Sequence, residues 1–183
     1  MVKNRIHLCG RLVVELHGQR LEDSLRGRQG RLLFAYLAIN RDRPVRRDEL
    51  AEALWSGKGA PPAYESLLAP PLSRLRKALG PGVLEGRSEL HLILPDDAWI
   101  DWEVARERVK QARTAGPQEA WDAAREAVEI AERGLLPGLE APWIDAKRAD
   151  RGQVIVVNNN IPLRKRRKKQ RKTTTWFEFK TSR

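Results

Sequence analysis

One cysteine, three histidines and no long apolar run mark this 183-residue chain. Cys9 has no second cysteine to pair with, so an internal disulfide is excluded, and a reducing compartment suits the composition better than secretion. No neighbour of Cys9 suggests an activated thiol, and a small buried residue is the expectation. Of the histidines, His7 and His91 fall in predicted strands and His17 in a turn, where structural imidazoles are expected. No His/Cys group has metal-ligand spacing, and neither Gly57-Lys58-Gly59 nor Gly80-Pro81-Gly82 carries the flanks of a phosphate-binding loop. No catalytic residue, metal or cofactor is therefore expected, no small-molecule substrate is indicated, and the chain is not read as an enzyme. No stretch approaches the ~18 to 20 apolar residues of a membrane span. The N-terminus, with Lys3, Arg5 and Arg11, lacks the ~7-residue apolar centre of a signal peptide. A cytoplasmic protein without a membrane partner is the expectation.

What the chain does have is charge, unevenly placed. Thirty-five Lys and Arg stand against 24 Asp and Glu, a net charge of +11. Residues 1–80 carry +7, residues 81–150 carry −6 and residues 151–183 carry +10. Clustered charge makes an attractive field where averaged charge does not, so a polyanion-binding front, a different middle and a cationic tail are indicated. With 41% apolar residues, there is also enough material for a buried core.

Ile6 and Leu8, then Leu12, Val14 and Leu16, alternate with polar residues on either side of Gly10, which predicts strands that open a small antiparallel sheet. Three helices are predicted next, over about 27–40, 46–55 and 62–79, with Ser56-Gly57 closing the second. In the third, Leu68, Leu72, Leu75 and Leu79 are spaced 4, 3 and 4. At ~100° per residue they lie within about 60° of arc, opposite Ser66, Ser73 and Lys77, with Arg74 and Arg76 flanking. Pro70 and Pro71 interrupt this pattern. An interior proline costs ~3 kcal/mol, so a kink or a restart near Ala69 is expected, separating Ser66 from Lys77. The run 83–99 reads as a β-hairpin with Gly86-Arg87-Ser88 at or near its tip. The fold class is therefore α+β.

Asp48-Glu49-Leu50, Ala53-Leu54-Trp55 and Leu72-Ser73-Arg74-Leu75-Arg76, set within the runs 27–57 and 66–101, carry a resemblance. From Ile6 to Ala149 the chain resembles actinobacterial regulators related to the Streptomyces antibiotic regulatory proteins. These join an OmpR/PhoB-type winged helix-turn-helix to a bacterial transcriptional activator domain of tetratricopeptide-like helices. The resemblance implies a winged-helix DNA-binding domain at 1–100 and an incomplete activator domain at 101–150. It implies a sequence-specific transcriptional regulator, of activator type and nucleoid-associated when bound, with double-stranded DNA, RNA polymerase and a homodimer partner as its contacts. Such a domain needs a helix in the major groove and donors aimed at phosphates. Ser66, Ser73, Arg74 and Lys77 are expected to face the groove and Arg76 the backbone. Arg87 is expected in a minor groove or on phosphate, unless merely exposed. Arg46 and Arg47 are open to phosphate contact, as are Arg41 and Arg43, or equally to salt bridges with Asp42 or Asp48.

Asp101 is a good N-cap for a helix carrying Ala105, Val109 and Ala112, and Trp121, Ala124, Val128 and Ala131 mark the contact face of a second helix. A third begins within 139–149, around Trp143 and Ile144. After Asp150 the composition changes to Val154-Ile155-Val156-Val157, three asparagines and a run 164–172 with eight of nine residues basic. The further repeats of the family are missing, and a solenoid usually needs about three units for stability. The basic low-complexity tail 151–183 is expected to be disordered, either as a cationic arm on phosphates or as a truncated or out-of-frame end. Trp176, Phe177 and Phe179 could stack on unpaired bases. A protein-interaction helical module, and a nonspecific nucleic-acid binder working through the tail, are the competing functional readings.

Overall fold

The structure, a computed structural model, describes residues 4–55 and 59–149; the tail 151–183 and the helix-ending Ser56-Gly57 lie outside the described residues. Among the described residues, seven short strands and six helices follow in order: β1 (Arg5–His7), β2 (Val13–Leu16), β3 (Gln19–Arg20), α1 (Gly27–Ile39), β4 (Val45–Arg46), α2 (Arg47–Trp55), α3 (Tyr64–Leu79), β5 (Leu84–Glu85), β6 (Glu89–Leu92), β7 (Trp99–Ile100), α4 (Asp101–Thr114), α5 (Pro117–Ala131) and α6 (Pro142–Ala149). The architecture is α+β, as the alternating and helical periodicities predict.

The opening sheet has four strands in the order β3-β2-β1-β7. The β1–β2 pair is antiparallel, with Ile6 opposite Val14, and both side chains are fully buried. The sheet is not purely antiparallel as expected, because β7 joins β1 in parallel, Ile6 opposite Ile100. The predicted hairpin over 83–99 is correspondingly shorter. Its arms are β5 and β6, paired through Leu84 with Leu92 and Glu85 with His91. Pro95-Asp96-Asp97 breaks the run and releases Trp99 to the other sheet. A third strand, β4, joins the hairpin through Val45 and Leu90.

Helices α1, α2 and α3 pack their apolar stripes into one core with the two sheets. Leu32, Leu33, Phe34, Leu50, Leu68 and Leu90 are fully buried there. At roughly 1.5 to 3 kcal/mol per buried leucine, the four leucines of α3 alone contribute on the order of 6 to 12 kcal/mol before chain entropy is counted.

The restart expected in α3 does not occur. The helix runs without interruption through Pro70 and Pro71. The two carbonyls that lose an amide partner belong to Ser66 and Leu67, both exposed, so water can satisfy them.

Asp101 is not a side-chain N-cap either, since α4 starts at Asp101 itself and the residue before it is Ile100. Its fully buried carboxylate reaches back to the end of β1 and accepts the amides of Leu8, at 2.8 Å, and Cys9, at 3.0 Å. Cys9 is buried as expected. Burial pushes the Asp101 carboxyl above the ordinary carboxylate range, although those amides and the His7 ring pull the other way. The α5–α6 connection docks on the same strand end, with the Leu136 amide donating to Leu8 O at 2.8 Å and Gly10 N to Gly134 O at 2.7 Å.

Helices α4 and α5 form the predicted hairpin, and Ala105, Val109 and Ala112 are buried. On α5, however, the seated face is Ala120, Ala123, Ala124, Ala127, Ile130 and Ala131, while Trp121 and Val128 are half-buried. A stripe of methyl groups lets the two backbones approach, and the indole is left at the margin. Helix α6 folds back on α1, with Trp143 edge-on to Tyr36 at 5.2 Å between ring centroids and Ile144 fully buried. Among the described residues, no helix is long and apolar enough to cross a membrane.

Candidate nucleic-acid interface

Because α3 is continuous, Ser66 and Lys77 stand on one helix, some 16 Å apart along it at the ~1.5 Å rise of an α-helix. Ser66, Ser73, Arg74 and Lys77 are all exposed on it, opposite the buried leucines. The Ser66 hydroxyl donates to Ala63 O at 2.8 Å and keeps its acceptor capacity. Arg74 Nε lies 3.4 Å from Pro70 O, one turn back. Two apolar residues share this face: Pro70, and Leu67 at 46% exposure, which is not singled out from the sequence. The 100° step from Ser66 to Leu67 was the available signal.

Arg76 sits on the other flank of α3, half-buried, and points toward the hairpin rather than outward along the helix face. Its Nη2 donates to Gly86 O at 2.6 Å. The tip itself is tight. Gly86 has φ +87°, and a Cβ there would lie 1.8 Å from Glu89 O, so only glycine fits. Arg87 is exposed at this tip, and Arg47 at the start of α2 donates its amide to Ser88 O at 3.2 Å. Helix α3, the start of α2 and the hairpin tip are thus brought together.

The arginines preceding and opening α2 are engaged with carboxylates. Arg41 makes a two-pronged pair with Glu103 of α4, at 2.6 and 2.7 Å. Arg43 binds both carboxylate oxygens of Glu49, and Oε1 also accepts the Tyr36 hydroxyl at 2.7 Å. The Arg43 hydrogen bond holds Glu49 below the ordinary carboxylate range, while burial and then Glu49 push Tyr36 up to about 12. Arg46 pairs with Asp48, one of the two partners expected from sequence, and that hydrogen bond lowers the Asp48 carboxyl. Arg46 stands in strand β4 opposite Glu89, not on the helix. Arg47 Nε lies 2.7 Å from Glu65 Oε2 but off the N–H axis, so this is an ion pair rather than a directed hydrogen bond. Among the described residues, Arg74, Arg76, Lys77 and Arg87 have no carboxylate partner, and no group of three or more metal-ligating side chains forms.

No protein-family model matches the sequence, and neither does any curated protein. Among solved structures, the fold is similar to that of Mycobacterium tuberculosis EmbR in complex with a low-affinity phosphopeptide, with a TM-score of 0.68 and 23% identity over 85% of this chain. The match covers 43% of the EmbR chain, so this protein spans less than half the length of that neighbour. At that identity the likeness establishes an EmbR-like α+β architecture.

Proposed function

We propose that this chain is a sequence-specific DNA-binding transcriptional regulator, of activator type and cytoplasmic. Residues 1–100 act as an OmpR/PhoB-type winged helix, and residues 101–150 as an incomplete tetratricopeptide-like activator domain whose outer surface meets RNA polymerase or a second copy of the chain. The observation that carries the reading is the outer face of α3. Ser66, Ser73 and Lys77 stand exposed in one row with Arg74 flanking it, the two cations having no carboxylate partner among the described residues, beside a hairpin tip bearing Arg87. Arg74 suits a guanine edge, which takes the planar fork of a guanidinium, and Lys77 and Arg87 suit phosphates. Arg46 and Arg47 reach phosphate only by leaving Asp48 and Glu65.

Selection from a random duplex library tests this, using the full chain and a chain ended at residue 150. Both are expected to enrich the same sequence. Enrichment of no sequence by either chain overturns the reading. Binding by the full chain alone, without preference, reassigns the protein to a nonspecific binder working through its tail, and no binding at all leaves the helical hairpin as an interaction module.

A further inference from the structure

The Arg76 and Arg47 side chains are aimed at the hairpin tip, not at solvent, and all three tip carbonyls have donors from the helical scaffold. Gly86 O receives Arg76 Nη2 from α3 at 2.6 Å. Ser88 O receives the Arg47 amide from α2 at 3.2 Å. Arg87 O has Arg47 Nη1 at a longer 3.5 Å. The Arg47 guanidinium is itself held, against Glu65 Oε2 at 2.7 Å and near Glu65 O at 3.4 Å, which ties it to the first turn of α3. A three-residue loop whose first residue admits no side chain has few conformations to lose. Two arginines from two helices then fix what remains.

Resting on the DNA-binding reading, we infer that Arg76 and Arg47 are positioning residues. They clasp the tip carbonyls of residues 86–88 and so set the separation between the outer face of α3 and the Arg87 side chain, instead of contacting phosphate themselves. The clasp makes α3 and the tip one rigid reading head, and Arg87 meets DNA at a fixed offset from Arg74.

Two measurements on the full chain test this. In the free protein, backbone order parameters of residues 86–88 are expected near ~0.85 and to fall below ~0.6 in Arg76→Gln. A tip already below ~0.6 in the parent chain, or unmoved by the substitution, overturns the clasp. On the selected duplex, Arg76→Gln and Arg87→Ala are each expected to weaken binding by roughly tenfold, and the double variant to stay within about twofold of the weaker single, because an unclasped tip has already lost the Arg87 contact. Losses that multiply to about a hundredfold, with the salt slope falling by ~0.9 per substitution and twice that in the double, identify Arg76 as an independent phosphate contact and overturn the inference. Arg47→Gln repeats the cycle from the other arginine, with thermal midpoints reporting that each variant folds. A parent chain that selects no sequence refutes the function and leaves the order parameters to judge the clasp.

Discussion

Substitution of Asp101 probes the joint between the opening sheet and the helical hairpin. In Asp101→Ala, the amides of Leu8 and Cys9 lose acceptors at 2.8 and 3.0 Å, in a place with no solvent to replace them. An unsatisfied buried donor costs about 1 to 3 kcal/mol, so two cost about 2 to 6 kcal/mol. Removing a buried carboxylate returns part of this, and a net loss of about 2 to 4 kcal/mol is expected, from a total on the order of 5 to 15 kcal/mol for a domain of this size. The pH dependence has a definite sign. Burial raises the native Asp101 carboxyl above its unfolded value, so the native state binds more protons between the two values. The contribution of Asp101 is therefore full below the ordinary carboxylate range and declines as pH rises through the raised native value. Urea unfolding from pH 4 to pH 8 should show a larger Asp101→Ala penalty at the acid end. The same series in a His7→Gln background removes the imidazole 3.6 Å away, leaving the slope to the carboxyl. A penalty under about 0.5 kcal/mol, or one that grows with pH, refutes the joint as described.

Arg74→Ala should cost ~1 to 3 kcal/mol of binding and relax preference at one base position, measured by competition among variant duplexes; an equal loss on random DNA would move Arg74 to the backbone. Pro70→Ala should raise the thermal midpoint by an amount equivalent to about 1 to 3 kcal/mol, because the exposed ring packs against little and the new amide can bond Ser66 O; a lower midpoint would mean the proline is needed for the helix. Gly86→Ala should unseat the hairpin tip, costing about 1 to 3 kcal/mol in thermal unfolding and most of the DNA affinity, and unchanged binding would detach the tip from recognition. With the chain ended at residue 150, the slope of log affinity against log salt should be about −1.8, two phosphates met by Lys77 and Arg87, and a slope near −5 or steeper would show that the paired arginines also join.

Helices α1 to α5 were legible because leucine or alanine recurs at helical spacing and Gly or Pro marks their ends. Strands β4 and β7 were not, since two residues carry no alternation and each exists only through a partner far along the chain, Leu90 for Val45 and Ile6 for Ile100. The prolines misled for a different reason. An interior proline is tolerated where the carbonyls it orphans meet water, and the fold turns Ser66 and Leu67 outward. On α5, the expected contact face of Trp121, Ala124, Val128 and Ala131 holds at its two alanines, whereas the packing of α4 on α5 selects further alanines and leaves Trp121 at the edge. Asp101 looked like a cap because it precedes a helix, and nothing local reveals that its acceptors face residues more than 90 positions earlier. Of the expected groove and phosphate residues, Ser66, Ser73, Arg74, Lys77 and Arg87 are where helical and hairpin periodicity put them. The sequence could not say which of the remaining arginines had acids waiting.

That last point separates net charge from the field a duplex would meet. Residues 1–80 carry +7, yet Arg41, Arg43, Arg46 and Arg47 each have a carboxylate within reach, from α4, α2, their own neighbourhood and α3 respectively. Surface pairs of this kind are worth about 0 to 1 kcal/mol each, too little for stability to be their main effect. Their larger effect is on where positive potential remains. Pairing cancels charge along the approach to α2, while the α3 face and the hairpin tip, the two elements that would enter grooves in the proposed reading, keep theirs, as do the exposed Arg5, Arg11, Arg26, Arg28 and Arg31, which have no carboxylate partner among the described residues. An evenly basic front would bind a duplex in many registers. If the proposed DNA-binding reading holds, neutralising the arginines around α2 would favour the register in which the α3 face and the clasped tip meet phosphates and bases together, and the acids bordering the site would contribute to discrimination by narrowing the ways the protein can sit.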